Sequence, residues 1–94
     1  MATVVWLKEA ALDVARLRLF LAPKNPDAAK RAAATIGQAA QQLIEHPKSG
    51  SPMDDGTGRH KLFAPFSNGG NVLRYKVNGN IVVIIRVWHS REDR

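Results

Sequence analysis

The stretch VLRYKVNGNIVVIIRVWH, Val72 to His89, narrows the possible folds more than any other part of the chain. Two β-rich runs flank an Asn-Gly. Both residues tolerate the positive φ angles of a tight primed turn, so the segment reads as a β-hairpin. Its second arm opens with IVVII, apolar at every position rather than alternating. Continuous apolar character marks a central strand, covered on one face by another layer and partly covered on the other. The chain therefore needs a layer to cover this sheet, and its N-terminal half supplies one.

Thr3 to Leu7, TVVWL, is short and β-rich and reads as a first strand. From Lys8 the pattern changes. Leu7, Ala10, Val14, Leu17 and Leu21 fall at helical spacing, and Pro23 stops the run. A second helix follows in NPDAAKRAAATIGQAAQQLIEH. Asn25 caps it, Pro26 takes the first helical position where its missing N–H does no harm, and Asp27 suits the positive end of the dipole. Ala29, Ala33, Ile36, Ala40 and Leu43 form its buried stripe, small enough for close packing, and Pro47 ends it. Two helices this close in sequence make an antiparallel hairpin. Pro47 to Gly58 is turn chemistry, after which HKLFAPF and the two hairpin arms complete the sheet. The order β-α-α-β-β-β predicts an α+β fold, one helical hairpin packed on one face of a mainly antiparallel sheet. Residues 1–94 are expected to form one domain, since splitting them would leave neither half a core.

The formal net charge of +6 and pI near 10.3 point toward acidic partners: nucleic acid, an anionic protein or an anionic surface. Cysteine is absent, which removes disulfides, thiolate zinc sites and a cysteine nucleophile. No segment approaches the roughly 18–20 apolar residues that span a bilayer, and the N-terminus lacks a signal-peptide layout. A cytoplasmic protein with no membrane partner is expected. The histidines His46, His60 and His89 lack metal-ligand spacing, and no carboxylate pair supports them, so no metal and no cofactor are expected.

The β half carries the chemistry. Arg59, Lys61, Arg74, Lys76, Arg86, Arg91 and Arg94 lie on or beside its strands. Strand alternation puts Arg74 and Lys76 on one face and Leu73, Tyr75 and Val77 on the other. The same rule groups Arg86 with Val82, Ile84 and Trp88, and His89 with Ile85 and Val87. An arginine is costly to bury unpaired, so Arg86 is expected at the uncovered face or its rim, with Arg74 beside it in a cationic patch. Such a patch binds phosphates, stabilises a phosphoryl transition state or docks an acidic peptide. The plainer alternative pairs these arginines locally with Glu92, Asp93 or a backbone carbonyl. Trp88 reads as a rim anchor.

Taken in order, VVWLKEAALDVARL, NPDAA, LIEHP, GRHKL, VLRYKV and IVVIIRVWHSRED resemble the RelE/ParE superfamily of toxins from bacterial type II toxin–antitoxin operons, across nearly the whole chain. The resemblance implies a growth-inhibiting, plasmid-stabilising toxin neutralised by a cognate antitoxin in a hetero-oligomer. It also implies one of two mechanisms. ParE-like members poison DNA gyrase without a nuclease site. RelE-like members are ribosome-dependent endoribonucleases that cut mRNA. In that case Arg74 and Arg86 would stabilise the phosphate and His89 would act as general acid or base, with charge from Lys61.

The chain departs from the nuclease pattern. It has no tyrosine after Tyr75, and its lysines beyond the linker are Lys61 and Lys76 alone. It is therefore closer to the ParE-like, non-enzymatic members. Arg59, Lys61, Arg74, Arg86, Trp88 and Arg91 are the expected partner-binding residues. An acidic, amphipathic antitoxin segment would set apolar anchors on exposed helix and sheet-edge residues and carboxylates on the arginines.

Overall fold

The computed structural model describes residues 2–21, 25–54, 56–66 and 69–90. Strand β1 (Thr3–Trp6) leads into helix α1 (Lys8–Leu21), and helix α2 (Pro26–Glu45) follows. Next come the two-residue strand β2 (Ser51–Pro52), then β3 (His60–Phe66), β4 (Gly69–Asn78) and β5 (Ile81–His89). The strands form one mixed sheet in the order β1-β5-β4-β3-β2. β1 runs parallel to β5, and the remaining pairs are antiparallel. The expected α+β order is present, with β2 added at the edge. β5 is interior, as its apolar run requires, although β4 is the middle strand.

Local signals account for the boundaries. Asn25 accepts the Ala28 N–H through Oδ1 at 3.1 Å, Pro26 opens α2, and the His46 N–H closes it onto the Gln42 carbonyl at 2.7 Å. The β4–β5 turn comprises Gly79 and Asn80, because Asn78 and Ile81 are the last paired residues. Gly79 takes the positive φ of 61° that glycine accommodates without strain.

The helices pack on one face of the sheet. Ala10 and Leu17 of α1 and Ile36, Ala39 and Leu43 of α2 meet Leu62, Ala64, Leu73, Tyr75, Val82, Ile84 and Val87. On α2 the buried stripe also includes Ala32, while Ala33 is only half-buried.

One feature of β5 departs from simple alternation. Arg74 pairs with Arg86, but Tyr75 pairs with Ile84, so Ile85 is an extra residue on β5. This β-bulge breaks the period of two. Val82, Ile84 and Val87 are all 0% exposed, which an unbroken strand could not achieve. The expected grouping of Arg86 and Trp88 with Val82 and Ile84 is therefore corrected. Beyond the bulge, Val87 joins the helix-side face and Trp88 moves to the open one.

Candidate functional site

The open face of the sheet is built by β3, β4 and β5. Lys61 pairs with Arg74, and Arg74 with Arg86, so three cations lie in one row across three strands. None of the described strand residues is Asp or Glu. Like charges directly opposite one another repel, so the row persists only if each charge finds its own compensation. Lys61 is exposed to water. Arg74 lies over Trp88, its Cζ 5.1 Å from the ring centroid, a cation–π contact. Its Nε is buried and has no hydrogen-bond partner. Phe63, 53% exposed, also borders this face: a Cβ at Gly70, next to Val72 and Arg74 on β4, would stand 2.6 Å from the Phe63 ring.

Arg86 is compensated differently: its guanidinium is engaged at the rim, where β5 has a bare edge, by an acid of α1. Arg86 Nε donates to Asp13 Oδ2 at 2.7 Å, and its second nitrogen donates to Oδ1 at 3.1 Å. The Val87 N–H also donates to Oδ2, at 2.9 Å, and Arg16 approaches Oδ1 at 3.5 Å. The reason lies in the edge of the sheet. β1 stops at Trp6, opposite Ile84, and the chain then turns into α1. The Val87 N–H consequently points where no strand lies alongside. Asp13, 4% exposed on α1, supplies the missing acceptor. Burial by itself would raise the Asp13 pKa. The hydrogen bonds from Arg86 and Val87, with the charges of Arg86 and Arg16, outweigh it and hold the carboxyl below its ordinary value. Asp13 in turn raises the pKa of Arg86, first through its hydrogen bond and then through its charge.

His89 belongs to the other face. It pairs with Asn71, a fully buried neighbour of Leu73 on the helix-side row. A Cβ at Gly69, on that same row, would stand 3.2 Å from His89 Cε1 and 2.7 Å from Ser90 Oγ. The imidazole therefore lies against Gly69, across the sheet from Arg74. Tyr75 is buried on this side too. Its hydroxyl accepts the Gly50 N–H at 2.9 Å, its ring stacks on His60 with centroids 5.3 Å apart, and burial pushes its pKa up.

The structure thus brings Lys61, Arg74 and Arg86 to one row, sets Trp88 beside Arg74 in the next, and leaves His89 apart. Arg59 stands just before β3, its carbonyl accepting the Met53 N–H at 2.8 Å. Arg91, Glu92, Asp93 and Arg94 lie outside the described residues. Asp13 went unnoticed in the sequence, yet a signal was there. An acid falls between Ala10 and Leu17 on the apolar face of α1, and such a residue requires a cation. Among the described residues no cluster of three potential metal ligands occurs, and no helix is long and apolar enough to cross a membrane.

Residues 4–94 match the family described as the ParE toxin of the type II toxin–antitoxin system parDE. The chain belongs to this family. Membership implies a cognate antitoxin as partner. Among curated relatives, the toxin is 32% identical to Toxin RelE1 of Caulobacter vibrioides over 98% of this chain and 97% of that one. It is 36% identical to Toxin RelE3 of the same organism, over 90% of each. Among solved structures, it superposes on a chain of the chromosomal ParDE system from P. aeruginosa with a TM-score of 0.76 at 19% identity, covering 95% and 96% of the two chains. It also superposes on YafQ from E. coli with a TM-score of 0.61 at 13% identity, covering 96% and 94%. These superpositions establish a shared fold.

Proposed function

We propose that this toxin arrests growth by poisoning DNA gyrase as a non-enzymatic, ParE-like member of its family, in the cytoplasm, and that its antitoxin silences it in a hetero-oligomer. The observation that carries this reading is the separation of Arg74, Arg86 and His89. Cleavage of an RNA phosphodiester by general acid–base chemistry needs a proton-transfer group and cationic stabilisers converging on one phosphate. Arg86 directs two of its nitrogens at Asp13. His89 lies across the sheet from Arg74, against Gly69. Tyr75, the chain's one tyrosine, is fully buried. What remains on the open face is a cationic and aromatic surface suited to gripping a macromolecule.

The names of the relatives pull in two directions, since the family model is that of ParE and the Caulobacter proteins are called RelE. The geometry favours the former. The test uses purified toxin in a gyrase supercoiling assay. Blocked supercoiling with accumulation of cleaved DNA is expected, and normal supercoiling at saturating toxin would refute the proposal. The mRNA reading instead expects codon-positioned cuts in a translating extract, lost on Arg74→Ala.

A further inference from the structure

The two edges of the sheet are built differently. β2 closes one edge with two residues, the second of them Pro52, and the exposed Lys61 stands beside it on β3. A short edge with a proline and a charge discourages pairing with another chain. β1 forms the other edge, and from Thr3 to Leu7 it carries no charge, no proline and no glycine. The Thr3 N–H donates to the Asn80 carbonyl and the Leu7 N–H to the Ile84 carbonyl. Alternate residues therefore point toward β5, and Val4 and Trp6 aim their N–H and C=O groups away from it. Among the described residues no strand lies beyond β1. The side chains point the same way. Val5, Trp6, Leu7 and, one strand in, Ile81 are four of the seven large hydrophobic side chains exposed among the described residues.

Apolar side chains gathered on an open strand edge mark a partner's place, and the charges say which partner fits. An acidic segment would find no cation on β1. A second copy of β1 is complementary to the first. In an antiparallel pair centred on Val5, Val4 of each copy exchanges a pair of main-chain hydrogen bonds with Trp6 of the other. Val5 then faces Val5 across the two-fold axis, Leu7 lies opposite Thr3, and Lys8, the nearest cation, lies opposite Ala2. The net charge of +6 on each copy opposes association elsewhere, but this register sets no like charges against each other. We propose that β1 is a self-association edge, through which two copies of this toxin join their five-stranded sheets into one. The two-fold axis stands perpendicular to the sheet, so the two rows of Lys61, Arg74 and Arg86 face the same side. This inference is independent of the gyrase reading, and its readouts are of association alone.

The chain has no cysteine, so a single introduced thiol reports the register. Val5→Cys would place two Cα atoms about 4.5 Å apart across the axis, within the span of about 4.4–6.8 Å that a disulfide bridges. The full-length variant at about 10 μM with oxidised glutathione should form a disulfide-linked dimer at least about tenfold faster than Leu19→Cys, an exposed control on α1. Equal rates would overturn the proposal. One short strand pair is a small interface, so wild type should show a monomer–dimer equilibrium in sedimentation between about 1 and 100 μM. Val5→Lys and Val5→Glu should each be monomeric, and mixing them should restore a dimer because the two substituted residues face each other. A dimer restored on mixing also excludes misfolding as the cause of the loss. Wild type that stays monomeric at about 100 μM, or a wild-type dimer that Val5→Lys leaves intact, would overturn the proposal.

Discussion

Removing the Asp13 carboxylate should destabilise this toxin more than any substitution at an exposed charge. In Asp13→Ala the Val87 N–H loses its acceptor at the bare edge of β5, and leaving a buried donor unsatisfied costs about 1–3 kcal/mol. The two hydrogen bonds from Arg86 go as well, each charge-assisted. The Arg86 side chain is 34% exposed, so water partly rehydrates the guanidinium and the lower end of each range applies. The sum is about 3 kcal/mol. With a urea slope of about 1–1.5 kcal/mol per molar for a chain this small, the midpoint should fall by about 2–3 M. Asp13→Asn keeps one acceptor for Val87 and should cost about half as much. Arg86→Ala leaves the buried carboxylate with Val87 and Arg16 only, and should cost at least as much as Asp13→Ala. The decisive measurement is the double-mutant cycle in urea. Asp13→Ala with Arg86→Ala should be more stable than the summed single effects imply, by about 1.5–2 kcal/mol. Additive single effects, or an Asp13→Ala midpoint equal to that of wild type, would refute the clamp as the fastening of α1 to β5.

The same pair sets an acid limit. Asp13 titrates lower in the folded chain than in the unfolded one, so its contribution is fully present above the ordinary aspartate pKa of about 3.9 and is lost as pH falls through the lower folded value. The stability gap between wild type and Asp13→Asn should therefore close in acid, and a gap unchanged in urea melts at pH 2–3 would contradict the assignment. Tyr75→Phe removes the hydroxyl that receives the Gly50 N–H and should cost about 1–2 kcal/mol in thermal melts. Gly50→Ala should cost at least as much, because its Cβ would stand 2.6 Å from both the Lys61 carbonyl oxygen and the Tyr75 hydroxyl. His89→Ala should leave growth arrest and gyrase inhibition essentially intact, whereas loss of a general acid or base costs about 10²–10⁴-fold, measured as toxin dose against supercoiling.

The elements were legible because local chemistry decides them. Asn25–Pro26–Asp27 opens α2, and the unbroken apolar run of β5 places that strand inside a sheet. β2 was hidden because two residues, one a proline, carry no strand signal of their own. The faces of β4 were legible too: Leu73 and Tyr75 are buried, and Lys76 is exposed.

The faces of β5 were not, and the candidate site depends on them. A bulge inserts one residue into the pairing, and IVVII offers no sign of where, since each of its residues is equally content on either face. The position is set from outside the strand. β1 ends opposite Ile84, the Val87 N–H must find an acceptor, and the Asp13 carboxylate stands 73 residues away in sequence from the arginine it holds. With Ile85 set aside, Val87 turns toward the helices, Trp88 turns outward under Arg74, and His89 turns away from it. Without the bulge, Arg86 and Trp88 would both be drawn to the core side, and His89 would share the open face with Arg74. One extra residue, demanded by the edge of the sheet, thus separates the proton-transfer candidate from the phosphate-binding one. It leaves Arg74 over Trp88 on the open face and His89 against Gly69 on the other.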